Sequence, residues 1–425
     1  MSAVVLILLG CRGEDAVGYY EDVKPILDGR CVGCHQPGGV APFVLDRYED
    51  AALMADAIAS STELRTMPPW GAIEGHQDYL DDPSLSDEQL ELLARWAEQG
   101  APEGSAAAEG AALAPVGAAL PRADVVMEMD SPYLPSDERP DDYRCFVLDW
   151  PLEDARYVTG FNILPGNAEV VHHVAAFLVS PGGLMGDGIF ETIAEWDAAE
   201  DGLGYTCYGG PSSSTSGGTQ IPIEQLAQWV PGFGAQIFSE GTGILVQPGS
   251  QIILQLHYNT AGVVAEDQTA MELMTEDAVE RRAQFAPVLD GTWPISGMEI
   301  PAGEVVTHEV QLDPRAFFSL LSGDAIDLSA GFDIHSVLLH MHKLGQHGVV
   351  SLERADGTAE VLLEVSPYDF NWQINYRLLR AVTFAEGDEI RLACTFDNSA
   401  GETDLSWGEG SDEEMCVANL FISEP

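Results

Sequence analysis

The chain has 425 residues, with 18 Lys+Arg against 69 Asp+Glu, a formal charge of −51 at neutral pH. A field of that sign repels nucleic acid and anionic membrane surfaces, and 46% hydrophobic residues is too many for an acidic disordered tail. The length allows several domains with cores of their own, and the cysteine count of seven is odd and needs an accounting.

In chain order, residues 3–9 are a short apolar run followed by Gly10 and Cys11. This Leu-Leu-Gly-Cys ending resembles a bacterial lipoprotein signal, with cleavage before Cys11 and lipid on its sulfur, although the usual positive n-region is missing. The resemblance implies a signal and tether over 1–18 and an anchor of lipid rather than a spanning helix. The expected location is the periplasm, cell surface or outer membrane of a bacterium, where disulfides persist.

Residues 19–100 are expected to be helical. Tyr20, Val23, Ile26 and Leu27 recur at helical spacing, and Gly29 sits where that helix should stop. Ser86 and Gln89 have capping-box spacing ahead of Leu90, Leu93, Ala94 and Ala97, which share one face of a helix ending near Gly100. Residues 101–122 are rich in Ala and Gly and are expected to be a linker. From 123 onward, short apolar or alternating runs are broken by Gly, Pro, Asp and Asn, as in 170–179, 251–258, 337–344, 361–365, 390–396 and 416–422. That texture is all-β, and its length suggests two antiparallel sandwich domains, over 123–285 and 286–425, after a small all-α domain.

Cys31-Val-Gly-Cys34-His35 is the C-x-x-C-H haem-attachment pattern. Two thiols at this spacing can bond the vinyl groups of a haem c, and His35 then falls under the iron. A redox disulfide or half a zinc site are the competing readings, but no second C-x-x-C follows. Met67, stiffened by two following prolines, is the expected distal ligand, since a thioether raises the iron potential and suits electron transfer. His76 and Met54 are the alternatives. Residues 19–100 thus resemble a small bacterial cytochrome c domain.

The other chemistry-bearing residues are histidines. His340 and His342 are i and i+2, so on a strand they share a face and can hold one metal. The adjacent His172 and His173 should point to opposite faces, and joint ligation requires a twist or bulge. Spacing alone does not name the metal.

Residues 123–425 resemble the core of the type II copper, ascorbate-dependent monooxygenases. The resemblance rests on four motifs in order: Val-Val-His172-His173-Val, Leu-Gln255-Leu-His257-Tyr, Leu-His340-Met-His342-Lys-Leu-Gly and Asp-Glu-Glu-Met415-Cys416. It implies an electron-transfer copper held by His172, His173 and His257, and a dioxygen-binding copper held by His340, His342 and Met415. The thioether of Met415 favours Cu(I). The resemblance also implies a Cys394–Cys416 disulfide beside Met415. With Cys11 assigned to lipid and Cys31 and Cys34 to haem, Cys145 and Cys207 remain for a second bridge. Gln255 is either a group that tunes the copper or an ordinary polar strand residue. His308, His335 and His347 match no ligand motif.

The expected activity is hydroxylation of a C–H bond in a small organic substrate: R–H, O₂, two electrons and two protons giving R–OH and water. Electrons are expected from an external donor through the haem, with ascorbate or another reductant as cofactor. Peptide-hydroxylating members of the family carry an Arg where this chain has Leu338, and an Asn and a Tyr where it has Val417 and Asn419, which disfavours a peptide substrate. A non-catalytic haem and copper electron-transfer protein and a copper-binding module are the alternatives.

Overall fold

The computed structural model describes residues 16–425 other than 112, 114–118, 139–140, 208–209, 214–222, 261, 323–325, 409 and 411. Cys11 lies outside the described residues. The chain forms two compact units, one of Met1–Trp70 with Pro83–Val116, the other of Gly71–Asp82 with Gly117–Pro425. No described helix is long and apolar enough to cross a membrane.

The first unit is helical. Its core gathers Tyr19, Val23, Ile26, Leu27, Leu93 and Trp96. The first α-helix, Lys24–Arg30, runs one residue past Gly29, and glycine serves there for close packing, since a Cβ would meet the Leu113 side chain at 2.6 Å. Ser86 and Gln89 form the expected capping box of the Asp87–Glu98 helix, satisfying two backbone donors reciprocally. Residues 101–113 depart from the linker expectation. Ala101 is buried, Pro102 O accepts from Tyr19 N and Trp96 Nε1, and Gly110 N donates to Tyr20 O. Small residues here fit closely against the helices rather than swinging free.

The second unit is mostly β-sheet, consistent with sandwich architecture. A five-stranded sheet contains Asp141–Asp149, Val171–Val179 and Gln251–Asn259 as neighbours. A four-stranded sheet contains Gly345–Glu353, Ala359–Val365 and Glu389–Asp397. The third sheet has nine strands and runs through both expected domains. The expected boundary at 285/286 falls inside its Arg281–Val288 strand, which pairs with Thr242–Val246 on one side and Val417–Ser423 on the other. Hydrogen bonding is therefore continuous across the boundary, and one compact unit replaces two independent domains. Phe421 from the far end of the chain sits in the same core as Phe146, Phe161 and Leu254.

Residues 71–82, expected in the helical domain, are built into the β unit. Ala72 bridges Val365 and Tyr79 bridges Leu378, so one segment covers the outer edges of two different sheets. Ile73 N donates to Glu364 O, Tyr79 Oη to Leu362 O, and Arg377 pairs with Asp81. Unpaired strand edges are templates for aggregation, and this segment removes two of them. Replacing 71–82 with a Gly/Ser linker of equal length should lower the stability of the β unit by about 2–4 kcal/mol and promote aggregation. Urea titration with light scattering would measure both, and unchanged values would contradict this role for the segment.

Candidate metal centres

The first cluster forms on the outer face of the five-stranded sheet. Tyr143, His173 and His257 align across three neighbouring strands, since His257 is in register with both Tyr143 and His173. The pairing skips from Val171↔Tyr258 to His173↔His257, leaving His172 as the extra residue of a β-bulge. The bulge cancels the alternation that would send His172 to the opposite face. The ligand atoms of His172, His173 and His257 lie within 4.8 Å of one another. Nδ1 of His173 is 3.4 Å from that of His172 and 3.1 Å from that of His257. A tetrahedral ion with metal–nitrogen bonds of about 2.0–2.1 Å needs ligand nitrogens about 3.3 Å apart, and both of these separations are close to that.

Surrounding groups fix which nitrogen is free. His257 Nε2 is 2.8 Å from Asp141 Oδ1, an acceptor, which puts the ring proton on Nε2 and leaves the Nδ1 lone pair for a metal. Tyr143 stacks on His257 with ring centres 4.1 Å apart and planes 5° apart. Burial lowers His172 to about 4, helped by the charge of His257, and holds His173 well below the usual imidazole value. Gln255 donates to Gly210 O from beside the Cys145–Cys207 bridge, so its amide anchors that loop.

The second cluster sits where the Phe332–His340 strand ends. The sequence suggested a strand through 344, but hydrogen-bonded pairing stops at His340, because the chain must turn into Gly345–Glu353. Buried Glu414 compensates for the missing ladder by accepting from His342 N at 2.8 Å and Leu344 N at 2.6 Å. The two imidazoles remain together, with ring centres 5.0 Å apart. Gln373 Nε2 donates to Phe370 O, which turns Oε1 toward His340 Nδ1 at 2.6 Å. His342 Nδ1 donates to Glu413 O at 3.0 Å. Both rings therefore offer Nε2, the opposite nitrogen from the first cluster. Burial lowers His340, and lowers His342 to about 3.

Met415 is 8% exposed and lies two residues before Val417, the register partner of His340. Its neighbour Glu414 accepts from His342 N, so the segment carrying Met415 is tied to the backbone at His342. The Cys394–Cys416 disulfide ties this segment to the four-stranded sheet, closing a separation of 22 residues. A loop of that size contributes about 3 kcal/mol by restricting the unfolded chain. The two clusters are electrostatic neighbours, since His340 contributes to the lowering of His173 after burial and the nearer imidazoles.

In the helical unit, Cys31 and Cys34 are not bonded to each other, and burial pushes the Cys31 thiol up to about 12. His35 Nδ1 is 3.1 Å from Phe43 O and donates to it, freeing Nε2. The free Nε2 of His35 is the nitrogen that an axial ligand would use. Met67 is 37% exposed, and Met54 packs against the helical core. His76 bonds Glu364 of the β unit at 2.8 Å, and His347 holds the other oxygen of the same carboxylate at 2.9 Å. Asp141 and Gln373 lie in no sequence motif, and Glu414 stands in the Met415 motif without a role marked there, so the roles of all three emerge only from the fold.

Residues 322–422 match the profile of the copper type II ascorbate-dependent monooxygenase C-terminal domain. That span contains His340, His342, Met415 and the Cys394–Cys416 bridge. Dopamine beta-hydroxylase of Homo sapiens is 23% identical over 313 residues, covering 70% of this chain and 46% of that protein. The Bos taurus protein of the same name is 24% identical over 316 residues, covering 70% and 47%. These matches support the copper type II monooxygenase family. The chain spans about half the length of the curated relatives it matches. Among solved structures, the major capsid protein P2 of bacteriophage PM2 covers 71% of this chain and 97% of its own at 9% identity, with a TM-score of only 0.26.

In this copper-monooxygenase-like unit, His172, His342 and the buried His335 protonate near 4, 3 and 4 when folded, but near 6.5 when unfolded. Between those values the unfolded chain binds more protons, so stability rises with pH across the window and is lost as pH falls. The metal-free protein should therefore show a falling Tm by calorimetry from about pH 6.5 to 4. A flat profile over that range would contradict burial of these rings in neutral form.

Proposed function

We propose that the protein is a copper-dependent monooxygenase that hydroxylates a C–H bond of a small organic substrate, with electrons supplied through a c-type haem in the same chain. The observation that supports this reading is the pair of histidine clusters, one gathering Nδ1 atoms of His172, His173 and His257 and the other leaving Nε2 of His340 and His342 free. The overall change is R–H, O₂, two electrons and two protons to R–OH and water. Bound copper supplies one-electron chemistry and a dioxygen site.

The chain's own residues prepare that chemistry. His172, His173 and His257 converge neutral nitrogens that suit both copper oxidation states, while the soft sulfur of Met415 beside His340 and His342 favours Cu(I). Gln373 and the Glu413 carbonyl hold the latter rings in the tautomer with Nε2 free. Leu338 is buried and in register with Asn419, whose side chain bonds Gln225, so neither position offers a cation for a substrate carboxylate. That favours a substrate without a terminal carboxylate.

Cys31 and Cys34 would attach the haem, with His35 and Met67 as its axial ligands, and an external donor, ascorbate or another reductant would supply electrons. Lipid attachment at Cys11 would place the protein in the periplasm or at a bacterial cell surface.

The full chain loaded with copper should contain two copper ions and one covalent haem, and consume O₂ with reductant and a suitable substrate from a panel of small aromatic, amine and aliphatic compounds. Met415→Ala should lower hydroxylation more than about 100-fold while leaving haem reduction intact, since it removes one ligand of a site acting as a unit. Retained hydroxylation would overturn the assignment of that site. Cys31→Ser with Cys34→Ser should abolish haem that survives denaturing electrophoresis, and a wild-type protein without such haem would remove the electron-supply reading.

A further inference from the structure

We propose that Asp141 is a positioning residue that gives the His172/His173/His257 copper the lower reduction potential of the two, and so sets the direction of electron flow between them. This rests on the copper reading above.

The two clusters have the same kind of ring but different partners behind them. His257 Nε2 meets a carboxylate, Asp141 Oδ1, at 2.8 Å. His340 Nδ1 meets an amide oxygen of Gln373 at 2.6 Å, and His342 Nδ1 meets the main-chain oxygen of Glu413 at 3.0 Å. The first partner carries a full negative charge and the other two carry none.

The arrangement is built by the sheet. Asp141 opens the strand whose register places Tyr143 opposite His257. Asp141 and Tyr143 alternate onto the same face, so one takes the edge of the His257 ring and the other its flat side. With the imidazole 2% exposed and held on both, its orientation is fixed before metal arrives. The neighbouring Asp142 is turned to the other face, where it accepts from Tyr133 Oη at 2.8 Å and Ser136 N at 2.9 Å. It does not duplicate the contact.

A carboxylate hydrogen-bonded to a ligand imidazole makes the other ring nitrogen a stronger donor. The added negative charge also stabilises the doubly charged copper ion more than the singly charged one. Asp141 therefore favours Cu(II) at its site, while neutral partners and the Met415 thioether favour Cu(I) at the other. One electron lost at the first site and gained at the second is then a downhill step, and the external reductant restores the first site.

The test uses the full chain and the variants Asp141→Asn and Asp141→Ala. Competition titrations with chelators of Cu(II) and Cu(I) give separate affinities at the three-histidine site, and His340→Ala with His342→Ala removes the second site from the readout. Asp141→Asn keeps an acceptor but loses the charge. It should weaken Cu(II) binding about 10–100-fold, with a smaller loss for Cu(I). Each tenfold change in the affinity ratio corresponds to a rise of about 59 mV in potential for a one-electron couple. In the metal-free protein, nitrogen NMR should find the His257 proton on Nε2 in wild type and Asp141→Asn, and shared between nitrogens in Asp141→Ala.

Equal losses for both oxidation states would mean a merely structural role and overturn the proposal, as would no loss at all or a wild-type proton on Nδ1. A wild-type chain that takes up no copper at His172, His173 and His257 would instead remove the functional reading beneath it. Copper uptake with an affinity ratio independent of Asp141 would remove this inference alone.

Discussion

The bulge at His172 is the constraint on which the first metal centre depends. In a regular strand the side-chain period of two would put His172 and His173 on opposite faces, and one of them would enter the hydrophobic core. The skip from Val171↔Tyr258 to His173↔His257 inserts one residue without moving the rest of the strand out of register. Val174, Ala176 and Leu178 still face the core, and His172 joins His173 and His257 on the outside. Burial without charge then keeps the rings neutral, which is the state a metal needs.

The second centre depends on a different irregularity, the end of a strand. His340 and His342 keep their alternation past the last paired residue because Met341 between them is locked by Tyr368, whose hydroxyl both donates to and accepts from its backbone. Glu414 supplies the acceptors that the ladder no longer offers, and burial pushes its carboxyl up to about 7. Met415 and Cys416 follow directly, so the glutamate that caps the turn and the disulfide share one short segment. Regular pairing is lost at this point, and the covalent tie to Cys394 holds the segment in its place.

Both centres stand on one framework because the nine-stranded sheet does not stop at the midpoint of the β region. Arg281–Val288 is hydrogen-bonded to strands from both halves, and Phe421 enters the core of the earlier half. Residues 71–82 add to this by closing two sheet edges, one along Val365 and one along Leu378.

The sequence by itself determined the helical and β textures, the capping box at Ser86, the C-x-x-C-H pattern and the histidine motifs. These are local: each is written in residues a few positions apart, where periodicity and spacing act directly. It also indicated that His172 and His173 could act together only through a bulge, without placing one. Tertiary structure decided the rest. The shared sheet, the transfer of 71–82 to the β unit, and the packing of 101–113 against the helices all arise from pairings between residues far apart in the chain. The same holds for the free nitrogen of His257, His340 and His342. Asp141 lies 116 positions from His257, and Gln373 33 from His340, and nothing in their own neighbourhoods marks them. A metal-binding motif names the ring, but only a contact across the fold decides which of its nitrogens keeps the proton.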